Sequence, residues 1–196
     1  MGHPYGGPEG NLHNCAMYYK KNLFEVLDQG VFWLSETPQV PSIGWDATDT
    51  RLCQWIKFKE KNSGKEFYFF NAHFYYRYEK ARKNSGALMV AKMKEIAQDS
   101  PVVFVGDLNS TPDMEQVSTL KNYLQDCLEV SQTERSGYEK TFPGGKFFGE
   151  PTMRLDYMFV SDHFKVLDYK ALSDTYGDNR YPSDHLPITS KIVFKD

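Results

Sequence analysis

Residues 101–113 read Pro-Val-Val-Phe-Val-Gly-Asp-Leu-Asn-Ser-Thr-Pro-Asp, and this stretch decides the fold. Its four apolar residues at 102–105 predict a short buried strand. Alternate side chains of an extended backbone share a face, so Asp107 and Asn109 should point the same way while Leu108 enters the core. The stretch therefore predicts a carboxylate and an amide at the tip of a buried strand.

A helix start is predicted directly after this tip. Thr111, Pro112 and Asp113 offer a cap, a proline for the first turn and an acid at the positive end of the helix. A strand tip beside a helix N-terminus can hold an anion or a hydrated cation. An ordinary strand-turn-helix junction with a polar loop accounts for the same residues, and this stretch alone does not separate the two interpretations.

Length and composition indicate one domain of 196 residues with a sizeable core. The formal net charge of −3 excludes the global basic field of a DNA-packaging protein. The three widely spaced cysteines form neither a zinc pattern nor a disulfide framework. The sequence contains no run long enough to span a membrane and no secretory signal peptide.

The order of predicted elements mixes strands with helices and shows no repeat or linker, so residues 1–196 are interpreted as a single domain. Residues 1–14 are rich in Gly and Pro and predict a loop or tail. Helices are predicted at 79–98 and 114–125. Strands are predicted at 15–19, 24–34, 51–60, 66–74, 102–105, 154–161, 164–172 and 188–194.

Polar groups that could act together lie at four strand ends or loops: His73; Asp107 with Asn109; Asp156; and Asp184 with His185. A lone histidine such as His73 is usually structural unless other strand ends meet it. Neighbouring side chains diverge, so His185 needs a partner other than Asp184, and Asp156 is the candidate. Asp, Asn and water oxygens without cysteine favour Mg²⁺ or Mn²⁺ over structural zinc.

Four sequence blocks in this order resemble the endonuclease/exonuclease/phosphatase superfamily of metal-dependent phosphoesterases. They are Asn71-Ala72-His73, Gly106-Asp107-Leu108-Asn109, Arg154-Leu155-Asp156-Tyr157 and Ser183-Asp184-His185-Leu186-Pro187. The resemblance runs from about Cys15 to the C-terminus and is closest to a bacterial branch of family hydrolases. It implies an α/β fold of the four-layer sandwich type, with two mixed β-sheets packed face to face and helices outside.

The resemblance also implies Mg²⁺-dependent hydrolysis of a phosphoester by in-line attack of water, as in phosphodiesterases, nucleases and phosphatases. It implies that Asp107 orients or deprotonates the water and shares the metal site with Asp184, while Asn109 positions the water or binds phosphate. It further implies that His185, aligned by Asp156, and His73 contact the phosphoryl group. Candidate phosphate contacts are Arg154, Arg82 and Arg51, each of which equally fits a surface or salt-bridge role.

The chain departs from the family pattern before Cys15. Family members begin with a strand that bears an Asn, then a helix and a strand that ends in the main metal-binding Glu. We expect a domain without this portion to expose a sheet edge and apolar surface. The alternative function is therefore a catalytically impaired fragment or pseudo-enzyme that binds phosphate-bearing ligands.

The substrate class stays open among nucleic acids, sugar phosphates and lipid head groups. Mild acidity argues against long duplex DNA, because neutralising several phosphates needs clustered Lys or Arg. Tyr75, Tyr76 and Tyr78 follow the strand end at His73 and could stack a base or a sugar. Tyrosines at such positions also commonly cover a core.

Overall fold

The computed structural model describes residues 15–133 and 137–195. These residues form eight strands and three helices. The strands are β1 (Phe24–Trp33), β2 (Leu52–Glu60), β3 (Glu66–His73), β4 (Val102–Asp107), β5 (Gln125–Asp126), β6 (Asp156–Val160), β7 (Phe164–Ala171) and β8 (Ile188–Phe194). The helices are α1 (Glu79–Ala97), α2 (Glu115–Lys121) and α3 (Cys127–Val130).

Two sheets organise the chain. The larger has the order β1-β2-β3-β4-β6-β5 and is mixed, because β3 and β4 run parallel while the other neighbours are antiparallel. The smaller contains β7 and β8 as an antiparallel pair. The predicted α/β sandwich of packed sheets and helices is confirmed, with mixed pairing in the larger sheet of the described residues.

Alternate side chains of β4 face two different layers of the fold. Val102 and Phe104 are fully buried in a core cluster with Met89 and Met93 of α1. Val103 points to the other face and packs in a second cluster with side chains of β7 and β8. The strand predicted as buried therefore lies between a helical layer and the second sheet, and both faces bury apolar surface.

Polar residues lie at the strand termini along one edge of the larger sheet, which we call the polar edge. His73 of β3 is in register with Asp107 of β4, and Asp107 is in register with Asp156 of β6. Gly106 precedes this row, where a β-carbon would overlap the carbonyl oxygen of Ala72. Glycine at this position therefore lets the two strands approach closely beside the polar row.

An apolar groove of about 960 Å³ lies between the two sheets, away from the polar edge. Aromatic rings line much of it, including those of Phe24, Phe58, Phe67, Phe164 and Phe194. A pocket of about 320 Å³ lies instead at the polar edge, lined by Asp107 and Asp156 among others.

Two local predictions need correction, and two short elements were not predicted. Residues 15–19 form no strand, although Cys15 is buried against Trp33 and Leu52. Helix α2 covers Glu115–Lys121 rather than 114–125, and its N-cap residue is Met114 rather than Thr111, which bonds Asp113 within a turn. β5 and α3 had no periodic signal because together they span six residues. The tail predicted at 1–14 lies outside the described residues.

Candidate active site

Asp107 occupies the centre of the polar edge. Its Oδ1 accepts a hydrogen bond from the backbone N–H of Asn109 at 2.8 Å, and its Oδ2 lies 3.2 Å from Nε2 of His73. The side-chain amide of Asn109 donates to the Phe74 carbonyl at 2.9 Å and lies 3.4 Å from Asp107 Oδ2. The site therefore joins the ends of β3 and β4 into one hydrogen-bonded unit.

Asp107 and Asn109 come together as predicted, but for a different physical reason. Asn109 has a φ of 46°, in the left-handed region that asparagine tolerates better than most residues. The chain therefore turns after Asp107 instead of continuing as an extended strand. This turn brings the N–H and the side chain of Asn109 back onto the Asp107 carboxylate.

Asp156 and His185 form the second half of the site, as the sequence predicted. Nδ1 of His185 lies 2.7 Å from Oδ2 of Asp156, and its Nε2 lies 4.0 Å from Oδ2 of Asp107. A carboxylate can only accept, so the hydrogen bond to Asp156 places a proton on Nδ1 and fixes the orientation of the ring. The Nε2 atom is thereby turned toward Asp107.

Thr141 is a site residue that the sequence reasoning missed. Its hydroxyl donates to Asp156 Oδ2 at 2.5 Å and accepts the backbone N–H groups of Leu155 and Asp156, each at 3.2 Å. Its carbonyl accepts the N–H of Leu186 at 2.7 Å. Thr141 therefore ties Asp156 to the segment that carries His185. A single threonine in an aperiodic loop gives no sequence signal for this role.

Charge around His185 alters its basicity. Burial acts to lower the pKa of His185, but the hydrogen bond with Asp156 and the negative charges of Asp156, Asp107 and Asp184 raise it above the ordinary value. The folded state therefore binds this proton more tightly than the unfolded state does. The resulting stabilisation is complete below the unfolded pKa of about 6.5 and is lost as the pH rises through the folded pKa.

We expect His185→Asn to lower the melting temperature most below about pH 6.5. The gap between the melting temperatures of wild type and variant should narrow as the pH rises. Thermal unfolding in EDTA from pH 5.5 to pH 9 measures that gap. His163→Asn is a matched control, because His163 lies at the opposite end of the sheet with its ring 3.1 Å from the Ser161 hydroxyl. A gap for His185→Asn that does not change with pH would contradict the linkage.

Four other predicted residues lie outside this hydrogen-bonded core. Asp184 is exposed and accepts from the Ser183 hydroxyl at 3.3 Å. Arg154 is buried with both terminal nitrogens on Asp126, at 2.6 and 2.7 Å. Arg51 is buried with Nη2 3.3 Å from Asp49, and Arg82 donates to the Tyr76 carbonyl.

The donor set suits a hard divalent cation. Among the described residues, Asp107, Asp156 and His185 each offer a ligand atom within 4.8 Å of the others. Mg²⁺ prefers oxygen and commonly takes only one or two protein carboxylates, with water and substrate phosphate completing the shell. Two carboxylates that face a pocket fit that requirement, whereas Asp184 is not part of this group.

The chain matches a known protein family over most of its length. The profile of the Endonuclease/Exonuclease/phosphatase family matches residues 1–185. The chain belongs to this family. Members of the family are phosphoester hydrolases and are generally dependent on divalent metals. The resemblance inferred from the four sequence blocks is confirmed.

Family relatives match most of the chain. A mannosyl-6-phosphatase from Bacteroides thetaiotaomicron VPI-5482 is 36% identical with a TM-score of 0.90, and the match covers 99% of this chain and 76% of that one. An uncharacterized protein of Acanthamoeba polyphaga mimivirus is 35% identical over 90% of this chain and 68% of its own length. The catalytic domain of human nocturnin, solved with a sulfate anion, shares the fold at 21% identity, with a TM-score of 0.71 over 95% of this chain and 65% of its own.

Proposed function

We propose that this protein is a divalent-metal-dependent hydrolase that cleaves phosphoester bonds by in-line attack of water. One observation carries the proposal: His73, Asp107 and Asp156 stand in register at one sheet edge, and His185 closes the group from a second layer. Four separate chain segments converge there, and a pocket opens beside them. An ordinary strand-turn-helix junction does not require this convergence.

Asp107 is proposed to accept the proton of the attacking water. Its carboxylate is held by Asn109 and faces His73, so its two oxygens have fixed directions. A pre-oriented carboxylate loses little freedom when a water molecule binds, which favours attack along one line. Asn109 keeps that carboxylate in place and links it to the end of β3 through Phe74.

His185 and His73 are proposed to donate hydrogen bonds to the phosphoryl oxygens. Asp156 and Thr141 fix the His185 ring, and the raised pKa of His185 favours its charged form. A positive donor held in a half-buried site stabilises the negative charge that develops on the phosphoryl group. Asp107 and Asp156 would hold the metal, which when bound supplies further charge neutralisation and a lowered pKa of bound water.

The relatives support a phosphoester substrate. The mannosyl-6-phosphatase matches almost the whole of this chain at 36% identity, so related sequences of this fold act on a phosphate group. None of the helices in the described ranges has the length and apolar character of a membrane span.

Metal removal tests the proposal. We expect turnover of p-nitrophenyl phosphate or bis-p-nitrophenyl phosphate to fall by at least about 100-fold in EDTA and to return on addition of Mg²⁺ or Mn²⁺, because a metal contributes several kcal/mol of charge stabilisation. Calorimetric titration of Mg²⁺ into the purified protein follows binding in parallel. Binding of metal and inorganic phosphate without any turnover would favour a phosphate-binding pseudo-enzyme instead.

A further inference from the structure

Five loops surround the candidate site, and together we call them the rim. They are residues 34–51, 74–78, 108–114, 137–155 and 172–187. Four of them adjoin strands of the larger sheet at the end where His73, Asp107 and Asp156 lie in register. The fifth, residues 172–187, connects β7 to β8 and carries His185. The rim also carries Asn109, Thr141 and His185, which belong to the candidate site.

Exposed aromatic rings are concentrated on the rim. Among the described residues, six aromatic side chains are largely exposed, and five of them are rim residues: Tyr76, Tyr78, Phe147, Phe148 and Tyr176. The sixth, Tyr18, lies outside these loops. A scattering of single apolar residues needs no explanation, but several exposed rings on the loops that carry Phe74, Thr141 and His185 are typical of a binding surface.

The two phenylalanines are held near the site by the local structure. Phe147 and Phe148 are 46% and 54% exposed and lie within the connection between Phe142 and Met153, which pair as antiparallel neighbours. The Phe142 ring lies 4.8 Å from the His185 ring. The N–H of Tyr181 donates to the Phe147 carbonyl at 2.7 Å. The loop therefore presents two ordered rings from a base that touches the candidate site.

Tyr76 presents a third ring from the loop that follows β3. It follows His73 by three residues, which limits its backbone to about 10 Å from that histidine. The Arg82 guanidinium donates to the Tyr76 carbonyl, and the Arg77 guanidinium lies 5.2 Å from the centre of the Tyr76 ring. These contacts order the loop while half of the tyrosine side chain remains exposed.

The charge of the rim favours a carbohydrate over a nucleic acid among substrates that contain rings. The five loops contain nine acidic side chains and six basic ones, and two of the basic ones are Arg51 and Arg154, which are buried beside carboxylates. A nucleic acid needs clustered Lys or Arg along its backbone as well as aromatic stacking. A carbohydrate needs aromatic faces for its C–H surfaces and carboxylates that accept its hydroxyl groups, and it carries no further phosphates.

We propose that the rim binds the sugar ring of a phosphorylated carbohydrate, with Phe147, Phe148 and Tyr76 as the residues that select it. This inference rests on the proposed function, because it places the phosphate at Asp107 and His185. The aromatic rings pack against the sugar while the acidic rim disfavours polyanionic chains. Specificity is thus separated from the hydrolytic residues and located in the loops 74–78 and 137–155.

The test compares Phe147→Ala, Phe148→Ala and Tyr76→Ala with the matched exposed-aromatic control Tyr18→Ala. The substrates are mannose 6-phosphate, the ringless glycerol 2-phosphate and a single-stranded DNA dodecamer. Wild type should have its highest kcat/KM with the sugar phosphate. Each rim variant should raise KM for it by about 3- to 10-fold, the range expected when a ring contact is lost. The KM of each rim variant for glycerol 2-phosphate should change less than about twofold. For Tyr18→Ala, kcat and KM for every substrate should also change less than about twofold.

Two outcomes would overturn the inference while leaving the hydrolase intact: preference for the dodecamer, or rim variants with unchanged KM for mannose 6-phosphate. Failure of the proposed function looks different. The protein would then turn over none of these compounds, nor bis-p-nitrophenyl phosphate. In that event, calorimetry of mannose 6-phosphate binding tests the sugar-binding role of the rim. Weaker binding by the rim variants, with unchanged binding by Tyr18→Ala, would support that role. Equal binding by all variants would overturn it.

Discussion

Asp107→Asn is expected to lower kcat for p-nitrophenyl phosphate by about 10²- to 10⁴-fold, the usual contribution of a positioned proton acceptor. Asparagine fills the same space and can still accept the N–H of Asn109 with its carbonyl oxygen. It cannot take a proton from water and carries no charge for a metal. Steady-state kinetics at saturating Mg²⁺ measure the loss, and Mg²⁺ calorimetry measures any weakening of metal binding.

Asp113→Asn provides the matched control for that substitution. Asp113 lies in the same β4–α2 connection and is exposed, and it accepts from the Thr111 hydroxyl at 2.5 Å. The Thr111 bond lowers the pKa of Asp113, so this residue is also a carboxylate at neutral pH. We expect kcat within about twofold of wild type for Asp113→Asn. Equal losses in both variants would indicate a general effect of loop charge and would contradict a special role for Asp107.

Most of the fold could be predicted because its signals are periodic. The apolar residues 102–105 have no period, but they correctly predicted a buried strand because the run is short, rich in valine and followed by glycine. The prediction of a helix at 79–98 was equally secure, because α1 buries Ala81, Ser85, Met89 and Met93 at helical spacing. The sequence contained no such signal for β5 and α3, whose short length leaves no room for a period.

Half of the site could be predicted from polar residues at the ends of strands and from the four family blocks. His73, Asp107 and Asp156 were grouped on that basis, and the structure places them in register at one end of the sheet. Thr141 could not be predicted in this way. Its position depends on a loop whose path is set by bonds to Met153 and Leu186, both distant in sequence. Such tertiary contacts leave no local pattern.

Arg154 was predicted as a candidate phosphate contact, with a surface or salt-bridge role as the equal alternative. The guanidinium instead donates to both oxygens of Asp126, 28 residues earlier in the chain, and both side chains are almost fully buried. Its carbon atom Cζ also lies 4.3 Å from the centre of the Tyr157 ring. This planar, two-bond pairing over an aromatic face is a geometry that lysine cannot reproduce.

Arg154→Met is therefore expected to destabilise the fold by about 3–5 kcal/mol, because it leaves the Asp126 carboxylate buried without its counter-charge. Urea unfolding measures the change in the free energy of unfolding. Arg154→Lys keeps the charge but loses the paired geometry, so we expect an intermediate loss of stability. KM for mannose 6-phosphate should remain within about twofold of wild type in the folded lysine variant.

The double variant Arg154→Met with Asp126→Asn separates two contributions to stability, the ion pair between these residues and the packing of Arg154 over Tyr157. Removing both charges leaves no uncompensated ion, so more than half of the stability lost in Arg154→Met should return. Asparagine also retains an oxygen for the N–H of Leu128, which Asp126 caps at 3.1 Å, so α3 keeps its N-terminal bond. A double variant no more stable than Arg154→Met would show that packing over Tyr157 stabilises the fold more than the ion pair does. Unchanged stability in both lysine and methionine variants, with a raised KM, would instead return Arg154 to the substrate-binding role suggested by its motif.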